Sequence, residues 1–210
     1  MKNNQGGFTL VEIAIVLVII GLLLGGVLKG QELINSAKVK NFATDFRNIP
    51  LFIYGYQDKF RRLPGDDNGA VARFPAAATV DGNGDGAIDG AWNSGTAAAP
   101  TEAFAFWQHV RLAGLAAGST DLASPDYLPK NADGGAIGIT SGVNSPITTL
   151  KGSYIICSAG ILGKFAKQLD ITMDDGNTET GSVQVIGVAP AAAPTNVVAD
   201  ANPYTICMGF

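Results

Sequence analysis

Apolar positions follow one regime near the start of the chain and another beyond it. Over residues 8–28 nearly every position is apolar, interrupted only by Thr9, Glu12 and glycines. These 21 residues would form a helix of ~32 Å at ~1.5 Å per residue, matching a hydrocarbon core of ~30 Å. Over residues 29–63 the pattern becomes one-sided. Phe42, Phe46, Ile49, Ile53, Tyr56, Phe60 and Leu63 recur at spacings of 4, 3, 4, 3, 4 and 3, while Lys38, Lys40, Asp45, Arg47, Asp58, Lys59, Arg61 and Arg62 lie mostly on other faces. One helix over 8–63 is therefore expected, apolar all round and then amphipathic. Gly21, Gly25, Gly26 and Gly30 weaken it by up to ~1 kcal/mol each, and Pro50 removes a backbone hydrogen bond, which predicts a kink near Phe46 to Pro50. It should stop at Leu63, because Pro64 drives its predecessor out of the α region and Gly65 follows.

Residues 64–210 have the size of one globular head. A Gly, Ala, Asp and Asn stretch over 65–100 reads as a long loop. Thr101 can cap a helix over 102–115, with Phe104, Trp107 and Val110 on its core side. A Gly, Ser and Pro region follows, to about residue 147. Strands are expected at 152–158, 181–187 and 204–208, a short helix at 164–169 and a stiff Ala-Pro connector at 189–194. The class is α+β: a long N-terminal membrane-spanning helix on a small antiparallel sheet with long loops. No solenoid-type repeat is visible.

Glu12 is the anomaly of the apolar stretch, since an ionised carboxylate at depth costs on the order of 3 kcal/mol unless paired. A secretory signal peptide would place small residues after the apolar run. Here Gly6 and Gly7 precede it, so a cut between Gly7 and Phe8 would remove residues 1–7, keep the helix and create an α-amine on Phe8. Gly7, Phe8-Thr-Leu-Val-Glu12 and the apolar helix resemble the type IV prepilin and pseudopilin superfamily. The resemblance implies cleavage after Gly7 by a membrane prepilin peptidase and methylation of the Phe8 amine. It also implies pairing of Glu12 with the N-terminal amine of the preceding subunit during filament assembly. An uncleaved single-pass anchor is the alternative, but it leaves Gly7-Phe8 and Glu12 without a role. In filaments of this superfamily the N-terminal helix is often partly unwound, and the glycine cluster is where this chain would allow it. Leu63-Pro-Gly-Asp-Asp67 and Phe106-Trp-Gln-His-Val-Arg-Leu-Ala-Gly-Leu115 are similar to segments of longer prepilin-like proteins.

The net charge of −4 and pI near 4.9 disfavour nucleic acid as the main ligand. Lys2 before the apolar helix and the acids after it favour a cytoplasmic N-terminus with the head across the membrane. On that side a Cys157–Cys207 disulfide is the natural reading, set against two buried free thiols. It would close a loop of about 50 residues and stabilise by about 4 kcal/mol in the chain-entropy model. With the helix and sheet, a C-terminal disulfide loop completes a pilin-like architecture.

Asp81-Gly-Asn-Gly-Asp-Gly-Ala-Ile-Asp89 matches the first nine places of a calcium loop, with oxygen donors on Asp81, Asn83, Asp85 and Asp89 and Gly86 at the turn. Trp92 stands where a bidentate acid belongs, so the last ligand must come from Asp66, Asp67 or Glu102. A solvated turn is the plain alternative. Asp174-Asp-Gly-Asn-Thr-Glu179 reads as a connector that can also reach a cation. His109 reads as a core-edge or surface residue, and Lys59, Arg61 and Arg62 as a solvated last helical turn. No nucleophile elbow or phosphate loop is present, so an enzyme is not expected. The expected function is a pilin or minor pilin of a type IV pilus. The alternatives are a type II secretion pseudopilin and a non-polymerising, membrane-anchored, calcium-dependent adhesin. The expected partners are other pilin-like subunits, the peptidase and an inner-membrane assembly platform. Before assembly the head would be periplasmic on an inner-membrane anchor, and afterwards part of a pilus or pseudopilus.

Overall fold

The computed structural model describes residues 9–75, 79–187 and 193–210. They divide between two compact units, Met1–Lys38 and Val39–Phe210. Helix α1 runs Leu10–Phe60 without a break at Pro50. In the first unit every large apolar side chain from Leu10 to Ile34 is exposed, as expected of a surface made for lipid or another helix. In the second unit α1 buries Val39, Phe42, Ala43, Phe46, Ile49, Ile53 and Tyr56, the 4-3 face read from the sequence as far as Tyr56 with Val39 and Ala43 added, while Phe60 is only half-buried and Leu63 is buried beyond the helix end. The helix ends at Phe60, three residues before the Pro64 rule would end it. Arg61 adopts φ 55°, a left-handed C-terminal cap, while its N–H still donates to Gln57 O at 2.8 Å.

Helix α2 is the single turn Ala70–Arg73, and α3 is Glu102–Leu112, capped by the Thr101 hydroxyl accepting from Phe104 N–H. Strand β1 (Ile137–Ser141) leads through a 3-10 turn to β2 (Tyr154–Leu162), then α4 (Gly163–Met173), β3 (Val183–Gly187) and β4 (Pro203–Gly209). The sheet order is β1-β2-β4-β3, and every neighbouring pair is antiparallel. It follows that β2 and β3 run parallel, joined through α4, and the last strand lies between them. The α+β class is as expected. Strand β1 was not anticipated, and β2 and α4 extend further toward the C-terminus than the sequence suggested. Most of the 189–194 connector lies outside the described residues.

One core joins α1 with Phe106, Trp107 and Val110 of α3, Ile156 and Ile161 of β2, Phe165 and Leu169 of α4, and Val183 and Val185 of β3. A smaller cluster of Ile147, Leu150, Ile155 and Ile186 surrounds the disulfide. Cys157 and Cys207 face each other across β2 and β4 with S–S 2.08 Å and Cα–Cα 4.1 Å.

Candidate functional site

Gly7 and Phe8 lie outside the described residues. Glu12, in the first turn of α1, takes the Thr9 N–H at 2.8 Å and the Thr9 hydroxyl at 2.7 Å, both on Oε2. The Glu12 N–H donates to Thr9 Oγ1 at 3.3 Å, which completes a capping box. Within one chain, then, the acid in the apolar stretch satisfies the helix end. Thr-x-x-Glu is a recognisable cap signature, so Thr9 was a partner the sequence offered and the reading of Glu12 passed over.

In the head, the chain leaving α1 turns at Gly65, φ +92°, where a Cβ would stand 2.6 Å from Glu102 O. That close approach seats Asp66 under the 81–89 loop. Asp66 Oδ1 accepts from Gly84 N–H at 2.5 Å and Asp85 N–H at 3.0 Å, and Oδ2 accepts from Gly86 N–H at 2.8 Å. Glu102 braces the same loop, accepting from Asn83 N–H at 2.7 Å and Asp89 N–H at 2.9 Å. Burial raises its pKa, Asp66 and Asp89 add to that, and the two N–H donors oppose it. Asn83 Nδ2 donates to Asp85 and Asp89 at 3.2 Å each. Asp81 turns elsewhere, accepting from Val71 N–H at 2.8 Å. Carboxylate oxygens of Asp66, Asp85 and Glu102 lie within 4.8 Å of one another. Of the three acids proposed to complete the loop, Asp66 and Glu102 reach it. Asp67 is committed to Tyr56 Oη, Gly69 N–H and the Arg73 guanidinium.

At the chain's start, the family model described as "Prokaryotic N-terminal methylation motif" matches residues 2–28. The chain carries the type IV prepilin and pseudopilin signature. That signature implies processing by a prepilin peptidase and assembly into pilin-like filaments, the work of a structural subunit. With the exposed apolar helix it fits a membrane-anchored protein. No curated protein and no solved structure matches the chain.

The head of this prepilin-type chain also holds a polar arrangement that periodicity could not supply. Residues Ala103 to Arg111 of α3 are all buried, including Gln108, His109 and Arg111. His109 is not at the core edge or on the surface, as expected, but fully buried. Its Nδ1 accepts from Gly65 N–H at 2.9 Å, so its Nε2 carries the proton and donates to Val80 O at 2.6 Å. Gln108 accepts from Val80 N–H and donates to Thr120 O. Arg111 donates to the carbonyls of Ala117, Ser119 and Tyr127. The Tyr127 hydroxyl inserts into α3 itself, donating to Phe104 O at 2.7 Å and accepting from Gln108 N–H at 3.0 Å. These side chains satisfy backbone groups that the long loops would otherwise bury unpaired.

Proposed function

We propose that the chain is a pilin or minor pilin of a type IV pilus-like filament, cleaved between Gly7 and Phe8 and held in the inner membrane with a periplasmic head until assembly. The observation that supports this most is Glu12, the one acid in the apolar, exposed first stretch of α1, directly after a prepilin cleavage motif. In the unassembled chain Thr9 occupies its carboxylate. During assembly that carboxylate exchanges part of this bonding for the α-amine that cleavage creates on a neighbouring subunit. Charge pairing and capping separate experimentally, because Gln at this helix position keeps a capping box but carries no charge. Glu12→Gln should stay processed and membrane-bound yet lose at least about tenfold in filament incorporation, roughly a 1.4 kcal/mol effect. Normal incorporation of this variant, read by filament shearing and immunoblot, would defeat the pairing role of Glu12, whereas absence of the wild-type chain from sheared filaments would leave a non-polymerising anchored adhesin.

The disulfide favours a pilin. A second reading, a type II secretion pseudopilin, is favoured by the calcium-type loop. We infer that Ca²⁺ is the ion this loop would take, through Asp66, Asp85 and Glu102, since three carboxylates converge where a hard cation accepts oxygen ligands. The full chain in detergent should gain Ca²⁺-dependent amide protection at 81–89 that Asp85→Asn removes. An unchanged exchange pattern with Ca²⁺ would rule this site out.

A further inference from the structure

Helix α4 lays Phe165, Ala166, Leu169 and Asp170 against the head core, so an acid occupies one place of an apolar stripe. Asp170 is fully buried, and neither of its carboxylate oxygens has a hydrogen-bond partner. A buried carboxylate left this way costs several kcal/mol unless it is neutralised. Nothing on its own helix does so. The last turn of α4 holds no basic residue, and Lys167, one turn earlier, pairs with Asp200 at 2.5 Å. The helix C-terminus adds partial negative charge of its own.

The chain then brings more negative charge to the same point. Oxygens of Asp170, Asp174 and Asp175 all lie within 4.8 Å of one another. Asp174 is held there by accepting from Val183 N–H at 2.8 Å. Gly181, φ +79°, makes room for it, since a Cβ would stand 2.0 Å from Asp174 Oδ2. Asp175 is fixed by Asn177 N–H at 2.8 Å and the Thr180 hydroxyl at 3.1 Å. Two of these acids are thus positioned by hydrogen bonds beside a third that has none.

We propose that Asp170, Asp174 and Asp175 form a divalent-cation site of the calcium class, which ties the end of α4 to the start of β3. The three carboxylates offer an all-oxygen donor set, and the uneven spacing of one helix end and one turn suits Ca²⁺, which tolerates irregular oxygen geometry, better than Mg²⁺, which demands a near-ideal octahedron.

The test is hydrogen exchange by mass spectrometry on the full chain in detergent, stripped with EDTA and then given Ca²⁺ alone or Mg²⁺ alone. Ca²⁺ should slow exchange across 170–183 more than Mg²⁺ does. Asp170→Asn and the exposed Asp175→Asn should each raise the half-saturating Ca²⁺ at least about tenfold. Asp85→Asn should leave the 170–183 response intact, which separates this site from the 81–89 loop. Two results would overturn the proposal. One is no Ca²⁺ response at 170–183 up to about 10 mM, above the ~1 mM limit of extracellular calcium modules. The other is a response that survives in both Asp170→Asn and Asp175→Asn. If Asp170→Asn only stabilises the metal-free chain and no cation effect is seen, a proton neutralises Asp170 and the cation site is refuted.

Discussion

His109 has both ring nitrogens committed, and only the neutral ring can accept from Gly65 N–H while donating to Val80 O. Burial lowers its pKa from the unfolded value of about 6.5. The stability it contributes is therefore complete above about pH 6.5 and is lost as pH falls, because the unfolded chain takes up a proton that the folded chain refuses. Asp45 and Asp170 act in the opposite sense: burial raises each to about 6, so acidification toward pH 4 relieves them. Comparing wild type with His109→Gln cancels these opposing contributions. The variant should cost on the order of 2 kcal/mol at about pH 7.5, for a buried backbone group left unpaired, and the gap should narrow by about pH 5. Denaturant titrations at the two pH values measure it. A gap independent of pH would mean that His109 titrates alike in both states. None of this was readable in the local sequence, because the partners of His109 lie 44 and 29 residues away.

Among the elements, α1 was the most legible, since its apolar spacing is dense enough to fix both a period and a face. Its end was less so. Pro64 forbids continuation, but the chain had already turned at Arg61, whose left-handed backbone an L side chain resists by ~1–2 kcal/mol. Arg61→Gly should therefore stabilise the head by about 1 kcal/mol, for the exposed Asp58 pair at 3.8 Å contributes little. A thermal melt would show it, with Arg62→Gly as the neutral comparison. Strand β1 escaped notice for a different reason. Ile137-Gly-Ile-Thr-Ser141 is buried at every position, so it shows no alternation, and it sits within a Gly-rich run that reads as loop. The 81–89 loop was legible in its local Asp and Asn spacing. Its braces were legible only as candidates: Asp66 and Glu102 were two of three acids outside the motif, and nothing local showed that Asp67 goes instead to Tyr56 and Arg73 or that Asp81 turns to Val71.

For the whole molecule, the pairing of Cys157 with Cys207 joins two strands that are adjacent in space and 50 residues apart in sequence. Replacing both by Ala should lower head stability by about 4 kcal/mol in the chain-entropy model, and reductant should bring the wild type toward the same value in urea titrations. Equal stabilities would place the disulfide's effect on folding rate alone. The sheet order gives this bond a further significance. Strand β4 is central, yet it is the last of the four strands to be made, so β2 and β3 have no shared neighbour until residues 203–209 are added. A chain stalled before residue 203 presents two open strand edges, the state most prone to aberrant pairing. Cys157 and Cys207 can be joined, by an external thiol oxidant that takes up the two electrons, only once that gap is filled. A head interrupted before Cys207 therefore keeps a free Cys157 thiol, whereas the finished head has none among its described residues, so thiol content alone distinguishes the two.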